Sequence, residues 1–376
     1  MHSFRYVGRE LFCENVPLSD LVQKHGTPLY VYSQATLSDH YSKLDTALAS
    51  VDHLICFAMK SNSNLAVIRT FADLGGGFDT VSAGEIQRVI AAGGDPGKCV
   101  FAGVGKTEEE ITFALKQGIY SFNVESEAEL ARISKVALKL KKIAPVAVRV
   151  NPNVDAHTHA KITTGTSETK FGIPFAHARA AYFQAAALRN VEIVGIDVHI
   201  GSQLTELAPF EAAFSKVAEL TEQLRADGHT ITRLDLGGGL GIPYTRSNEA
   251  PPLPLDYGAL IKRTLGHLGC EIEIEPGRLI SGNSGVLVSE VIYVKQGEDR
   301  TFLIVDAAMN DLVRPSMYGA HHDIVPLVEA EAGAEMQDYD VVGPVCETGD
   351  TFAKARALPA MAAGDLLAFR SAGAYG

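Results

Sequence analysis

Between about residue 54 and residue 275 the chain alternates short apolar runs with amphipathic stretches, and this rhythm limits its fold more than any other feature. The runs are His53–Ala58, Gly77–Val81, Cys99–Ala102, Tyr120–Val124, Pro145–Val150, Val191–Ile200, Arg233–Leu236 and Cys270–Glu275. Between them lie helical patterns over Asn64–Leu74, Ala83–Ala92, Glu108–Gln117, Glu127–Leu140, His177–Ala187, Pro209–Ala226 and Asp256–Leu268. A strand that returns to its own sheet through a helix runs parallel to its predecessor. Eight such strands suffice to close a parallel sheet into a barrel with a packed interior. The expected fold is therefore a (β/α)8 TIM barrel. An open doubly wound sheet is the alternative that the same pattern allows.

After Arg278 the texture changes. Gly285–Lys295, Arg300–Ala307, Asp338–Val345 and Asp365–Phe369 are β-rich, with turn residues between them and few helical patterns. They predict a second, antiparallel β domain. With 376 residues, two domains are natural. The expected boundaries are an N-terminal segment, 1–25, packing with the β domain, a barrel over 26–278, and the β domain over 279–376.

Composition narrows the partners. Hydrophobic residues make up 46% and charged residues 21%, the balance of a soluble enzyme. A net charge of −12 argues against nucleic acid or an anionic membrane as partner, since both reward a basic surface. The five cysteines (Cys13, Cys56, Cys99, Cys270 and Cys346) are scattered and form no Cys-x-x-Cys pair. That suits reduced thiols, and with no apolar leader or membrane-length run it predicts a cytoplasmic protein.

Three tempting motifs carry less than they suggest. Gly103-Val104-Gly105-Lys106-Thr107 resembles a phosphate loop, but that motif needs glycine five positions before Gly105, where Val100 stands. Thr107 followed by Glu110 reads instead as a capping box. His157-Thr158-His159 and His321-His322-Asp323 lack the helical spacing or thiol partners of a metal site. They read as exposed or locally hydrogen-bonded, and no metal is expected.

The remaining chemistry falls where a barrel keeps its active face, at the C-terminal ends of the strands. Lys60 follows the first strand, Asp79 lies in the second, and Arg149 ends the fifth. His199 ends the sixth, Gly237, Gly238 and Gly239 follow the seventh, and Glu275 ends the eighth. Singly, each has a plain reading: a surface charge, a salt-bridge partner, a tight turn. Together they supply an amine, an acid, an imidazole and a backbone-rich anion cradle, as an aldehyde-and-phosphate cofactor requires.

Four motifs carry a resemblance: Phe57-Ala58-Met59-Lys60-Ser61-Asn62, His199-Ile200-Gly201-Ser202-Gln203, Gly237-Gly238-Gly239-Leu240-Gly241 and Glu275-Pro276-Gly277-Arg278. They resemble the signature of the fold-type III pyridoxal-phosphate decarboxylases, which share the alanine-racemase-like barrel and β domain. Asn151-Pro152-Asn153-Val154-Asp155, Lys170-Phe171-Gly172-Ile173, Cys346-Glu347-Thr348-Gly349-Asp350 and Ala372-Gly373-Ala374-Tyr375-Gly376 are similar to the diaminopimelate branch. The similarity runs, in order, over essentially the whole chain. Members of that branch continue past the Ala-Tyr-Gly motif with further strands, so the β domain is expected to be truncated at Gly376.

The resemblance implies decarboxylation of meso-2,6-diaminopimelate to L-lysine and CO2 with pyridoxal 5'-phosphate as cofactor. It makes Lys60 the attachment point, a role that needs a neutral amine. It places the phosphate on Gly237–Gly239, Gly277 and Arg278, with Ser202 and Tyr375 as added donors. Asp79 and Arg149 also line the cofactor site, His199 stacks on the ring, and Glu275 accepts the ring-nitrogen proton. Arg278, Arg314, Tyr318 and Tyr375 hold the distal carboxylate, to which the arginine fork is matched, and Glu347 takes the distal amine. Cys346 delivers a proton, acting with Glu347 in the partner's barrel of a homodimer with shared active sites. Another fold-type III decarboxylase acting on basic amino acids or polyamines is the alternative enzyme. A catalytically dead regulatory paralogue is the alternative of another class, and it would be expected to lose Lys60, Glu275 or Cys346.

Overall fold

A computed structural model describes residues 3–154, 170–245 and 251–376. Asp155, His157 and His159 lie outside the described residues. The eight runs form eight parallel strands, β1 (His53–Ala58), β2 (Gly77–Thr80), β3 (Cys99–Phe101), β4 (Ser121–Val124), β5 (Ala144–Asn151), β6 (Val191–Asp197), β7 (Arg233–Asp235) and β8 (Glu271–Ile274). Each pairs with the next, and β8 pairs with β1 through Glu273 opposite Leu54. The link from β4 to β5, with Asn123 opposite Ala147, completes the ring. The barrel is closed, which disposes of the open-sheet alternative.

The crossover helices are α1 (Leu65–Asp73), α2 (Ala83–Ala91), α3 (Glu108–Gln117), α4 (Glu127–Leu140), α5 (Phe175–Ala186), α6 (Ala208–Ala226) and α7 (Pro254–Leu265). Their starts follow from local chemistry. Asn64, Ser82, Thr107 and Ser126 each accept a backbone N–H at the helix N-terminus. Thr107 and Glu110 form the expected capping box. The helices bury one stripe on the outward face of the strands, as where Phe57 of β1 meets Phe71 of α1 with ring centroids 4.4 Å apart. Close approach demands glycine in places. At Gly258 in α7 a Cβ would lie 2.1 Å from the Ala47 carbonyl oxygen.

Register fixes what faces the barrel interior. Side chains alternate along a strand, and partners in register share a face. Cys56 is opposite Gly77, Asp79 opposite Val100, Val100 opposite Ser121, and Asn123 opposite Ala147. Arg149 is then opposite Asp197, Asp197 opposite Asp235, and Asp235 opposite Glu273. The inward set is thus polar toward the C-terminal ends of the strands and is continued by Lys60, Glu125, His199, Gly237 and Glu275.

The chain divides into two compact units. One contains the barrel (residues 40–241 and 251–279), the other residues 3–39, 242–245 and 280–376. The second unit holds a sheet in the order Ile324–Pro326, Leu366–Phe369, Gly285–Gln296, Thr301–Val305, Met336–Val342, Thr351–Pro359, with Leu29–Tyr32 also paired to Gly285–Gln296. Its pairs are antiparallel except one. Thr301–Val305 runs parallel to Met336–Val342 within this otherwise antiparallel sheet. The segment between them, with the short helix Arg314–Tyr318, is long enough to cross back, as a parallel pair requires. Leu287, Val291, Leu303, Val341, Leu367 and Phe369 centre its core. The N-terminal hairpin Phe4–Val7 and Glu10–Cys13 joins this unit, where Leu11 N–H donates to the Leu327 carbonyl.

Candidate active site

The β1 strand ends in a tight turn, Met59–Ser61, pinned by the Ser61 hydroxyl donating to the Ala58 carbonyl at 2.7 Å. The turn brings Lys60 over the mouth of the barrel, where its ammonium donates to Asp79 Oδ2 at 2.8 Å. The Lys60 side chain is exposed, while Asp79 is fully buried. Asp79 thus anchors the one end of Lys60 that chemistry would use.

Beside β1, on the neighbouring strand, stands Glu275, buried at the end of β8. Asn123 Nδ2 donates to Asp235 Oδ2 at 2.8 Å and reaches Glu275 Oε1 at 3.4 Å. The other Asp235 oxygen accepts from Gly237 N–H at 2.9 Å. Burial pushes the Glu275 carboxyl well above the usual range, Asp235, Asp79 and Asp197 push it further, and Lys60 opposes them. Asp197 and Glu273 are raised in the same way, burial first and Asp235 next, while burial raises Asp235 against the hydrogen bonds from Asn123 and Gly237 that lower it.

Arg149 is the main buried cation of this row. It donates to Glu125 Oε1 at 2.7 Å and lies 4.0 Å from Asp197 Oδ2. Burial pulls its pKa down, but Glu125, Asp197 and Glu275 outweigh that and raise it. The second Glu125 oxygen accepts from Gly172 N–H at 2.7 Å, which seats the Lys170-Phe171-Gly172 motif against β5. The buried Lys106 of the discarded phosphate-loop motif is structural. It donates to the carbonyls of Gly103 and Asn123 and to Glu129.

Desolvation, with Arg149 and Lys60 nearby, pushes His199 well below its ordinary range, so the imidazole is neutral. Its Nδ1 accepts from Gly238 N–H at 3.2 Å. The glycine cradle differs here from the expectation that all three amides face an anion: the Gly237 and Gly238 amides already have protein partners. These glycines are demanded by space. A Cβ would lie 2.7 Å from His199 Nδ1 at Gly237, 2.3 Å from the Glu275 carbonyl oxygen at Gly238 and 2.4 Å from the Gly201 carbonyl oxygen at Gly239. Nearby, Arg278 donates to the Ser202 hydroxyl at 3.1 Å.

The second unit carries the other expected residues. Arg314 and Tyr318 begin and end one short helix, whose Ser316 hydroxyl donates to the Gly349 carbonyl at 2.6 Å. That bond joins the helix to the turn bearing exposed Cys346 and Glu347. Asp350 organises the turn by accepting from Val345 N–H and Met309 N–H. Tyr375 sits at φ 60°, next to the end of the sequence. His322 was expected to be exposed or locally bonded; it is buried and bonds Arg314 at 2.7 Å. Among the described residues no cluster of His, Cys, Asp and Glu is arranged to hold a metal.

The barrel residues fit a pyridine aldehyde bearing a phosphate. Lys60 offers an amine, Glu275 an acid for a ring nitrogen, and the glycines a close-packed backbone turn at the strand end. Asp79 Oδ1, Asn123 Oδ1 and Asp197 Oδ1 are buried without a hydrogen-bond partner among the described residues, so the pocket has polar capacity to spare. Sequence reading missed Asn123, Glu125, Asp197, Asp235 and Glu273. The signal was present as parity: each lies two residues from another polar inward position, as in Glu271-Ile272-Glu273-Ile274-Glu275.

Comparison with known proteins agrees with this geometry. The family described as "Pyridoxal-dependent decarboxylase, pyridoxal binding domain" matches residues 34–282. The chain is 52% identical over 368 residues to the diaminopimelate decarboxylase of Vibrio cholerae, covering 98% of this chain and 87% of that one. It is 51% identical to that of Haemophilus influenzae, covering 100% and 90%. The crystal structure of diaminopimelate decarboxylase from Helicobacter pylori complexed with L-lysine superposes with a TM-score of 0.91 at 42% identity, covering 96% and 89%. The chain belongs to the diaminopimelate decarboxylase family of pyridoxal-dependent decarboxylases.

The acid row has a measurable consequence. Asp197, Asp235, Glu273 and Glu275 have folded-state pKa values above the unfolded value, so the folded state keeps protons that the unfolded chain releases. That contribution is full below the unfolded value of about 4 and is lost as pH rises through the folded values. The melting temperature of the cofactor-free protein should therefore fall from pH 5 toward pH 9. Glu273→Gln, which removes one acid and keeps its shape, should flatten that slope and stabilise the protein at pH 8 by about 1 kcal/mol or more. An unchanged slope in a folded Glu273→Gln protein would contradict the assignment.

Proposed function

We propose that this chain decarboxylates meso-2,6-diaminopimelate to L-lysine and CO2 with pyridoxal 5'-phosphate, the final step of lysine biosynthesis. The carrying observation is the Lys60–Asp79 pair beside buried Glu275 in a chain with 52% identity to a diaminopimelate decarboxylase over 98% of its length. When bound, the cofactor supplies a cationic ring that takes up the electron pair left at Cα when CO2 departs.

The residues of the chain do the rest. Lys60 holds the aldehyde end, and Asp79 orients its amine. Gly239, Gly277, Arg278 and Ser202 would hold the phosphate end, with Gly237 and Gly238 keeping the backbone close and Tyr375 adding a hydroxyl. Glu275 keeps the ring nitrogen protonated, a charge that matters more in a low-dielectric site than in water. His199 would stack against the ring, and because it is neutral it adds no competing charge. Arg149 holds the acids beneath Glu275 in place. Arg278, Arg314, Tyr318 and Tyr375 take the distal carboxylate, and Glu347 takes the distal amine. A substrate lacking that carboxylate would leave a buried arginine without its anion, and is rejected for that reason. Free thiols at all five cysteines suit a cytoplasmic enzyme.

Incubated with pyridoxal phosphate and meso-diaminopimelate, the protein should release L-lysine and CO2 in equal amounts. Borohydride reduction should fix the cofactor to the peptide containing Lys60. Product from a different basic amino acid only, or label on another lysine, would overturn the reading.

We propose also that the working unit is a homodimer in which Cys346 and Glu347 complete the partner's barrel, Cys346 giving a proton to Cα. Support comes from the exposure of both residues on a turn that Asp350 and Ser316 hold rigid. Lys60→Ala and Cys346→Ala should each be inactive. Mixed and allowed to exchange subunits, they should regain up to about a quarter of wild-type activity through the one intact site of each heterodimer. Proven exchange with no recovery would mean that both residues act from one chain.

A further inference from the structure

Arg314 is buried, and one of the groups at its tip is an imidazole. Its Nη1 lies 2.7 Å from His322 Nε2, and both side chains are buried. Guanidinium only donates, so Nε2 must be the acceptor. On the far side of the ring, Nδ1 lies 2.9 Å from the Arg370 carbonyl oxygen, which only accepts, so Nδ1 must carry the proton. The two contacts together fix one neutral tautomer of His322. The backbone around the ring is held as well. Arg356 donates to the His322 carbonyl at 3.0 Å, and Arg370 N–H donates to the Asp323 carbonyl at 2.8 Å. Tyr244 closes the third side. The guanidinium carbon lies 4.2 Å from its ring centroid, and the same ring meets His322 edge-on at 5.5 Å.

We propose that His322, with Tyr244, is a positioning residue that aims the Arg314 guanidinium at the carboxylate destined to become that of L-lysine. The proposal rests on the reading of Arg314 as the residue that holds this carboxylate. Its physical logic is the choice of a neutral partner. An aspartate or glutamate in place of His322 would orient the arginine equally well but would also cancel its charge. A neutral imidazole acceptor and a π-face orient the guanidinium without themselves cancelling its charge. A flexible side chain held in advance also spares the substrate the entropy of ordering it.

The two contacts of His322 can be separated. His322→Gln can place its amide oxygen near the Nε2 position and keep an acceptor for Arg314. His322→Asn can reach only the Nδ1 position, so it keeps the bond to Arg370 and loses the one to Arg314. His322→Asn should raise KM for meso-diaminopimelate about ten- to a hundredfold while kcat changes by less than about threefold, and His322→Gln should recover most of that loss. L-lysine, which retains the carboxylate, should bind the Asn variant more weakly by the same factor. 1,5-Diaminopentane, which has no carboxylate, should bind both variants like the wild type. Arg314→Ala separates the two layers of the argument. If it leaves KM and L-lysine affinity unchanged, the reading of Arg314 falls and takes this proposal with it. If Arg314→Ala weakens both while His322→Asn and His322→Gln behave alike, or while 1,5-diaminopentane weakens in step with L-lysine, the positioning role alone is overturned.

Discussion

Asp197, Asp235 and Glu273 stand side by side on three neighbouring strands, in register, inside a closed barrel. The rest of the candidate site depends on how that row is tolerated. Carboxylates taken out of water at such spacing cannot all ionise, because desolvation and mutual repulsion both favour the protonated form. Arg149 offsets part of the charge from one end, through Glu125 and Asp197. Asn123 ties Asp235 to Glu275 at the other end. Among the described residues the barrel interior just below its mouth therefore holds more acidic groups than cations. A cationic ring whose nitrogen meets Glu275 supplies what the packing lacks, and this gives a physical reason for a cofactor of that kind at this place.

The same constraint explains why so much of the barrel was legible in the sequence and part of its site was not. Strand–helix alternation gave the eight strands to within a few residues, since outward-facing apolar residues such as Ile55 and Phe57 keep both periodicities clean. Lys60, Glu275 and the glycines 237–239 were legible because they sit at strand ends, where a barrel must break its pattern. Asp235 and Glu273 were not, because a single acid inside an apolar run reads as a strand-edge charge until register shows three acids in a row. Strand β6 illustrates the limit: it ends at Asp197 although the sequence run continues to Ile200, and Val198 N–H still donates to the Asp235 carbonyl.

In the β-rich unit, local propensity could not show that Thr301–Val305 and Met336–Val342 run parallel, since that depends on a crossing connection rather than on the strands themselves. Nor could spacing expose the role of His322. A His-His-Asp triplet was weighed as a metal site and set aside, and only the fold reveals that one of its rings is buried against Arg314. Both cases share a cause: the partner lies tens of residues away or is defined by a loop closure. A neutral ligand for an arginine in one unit and an excess of acid in the other follow one rule. Each fixes in advance the protonation of buried side chains: two contacts hold His322 as one neutral tautomer, and burial with mutual repulsion favours protons on the acid row.

Infrared spectroscopy of the cofactor-free protein reads that rule most directly. The carbonyl stretch of protonated carboxyl groups should be visible at neutral pH, where exposed carboxyls are ionised. It should weaken in a folded variant carrying Asp235→Asn and Glu273→Gln together, and weaken in the wild type when pyridoxal phosphate is added. Absence of any protonated carboxyl band at neutral pH in the wild-type protein would contradict the account.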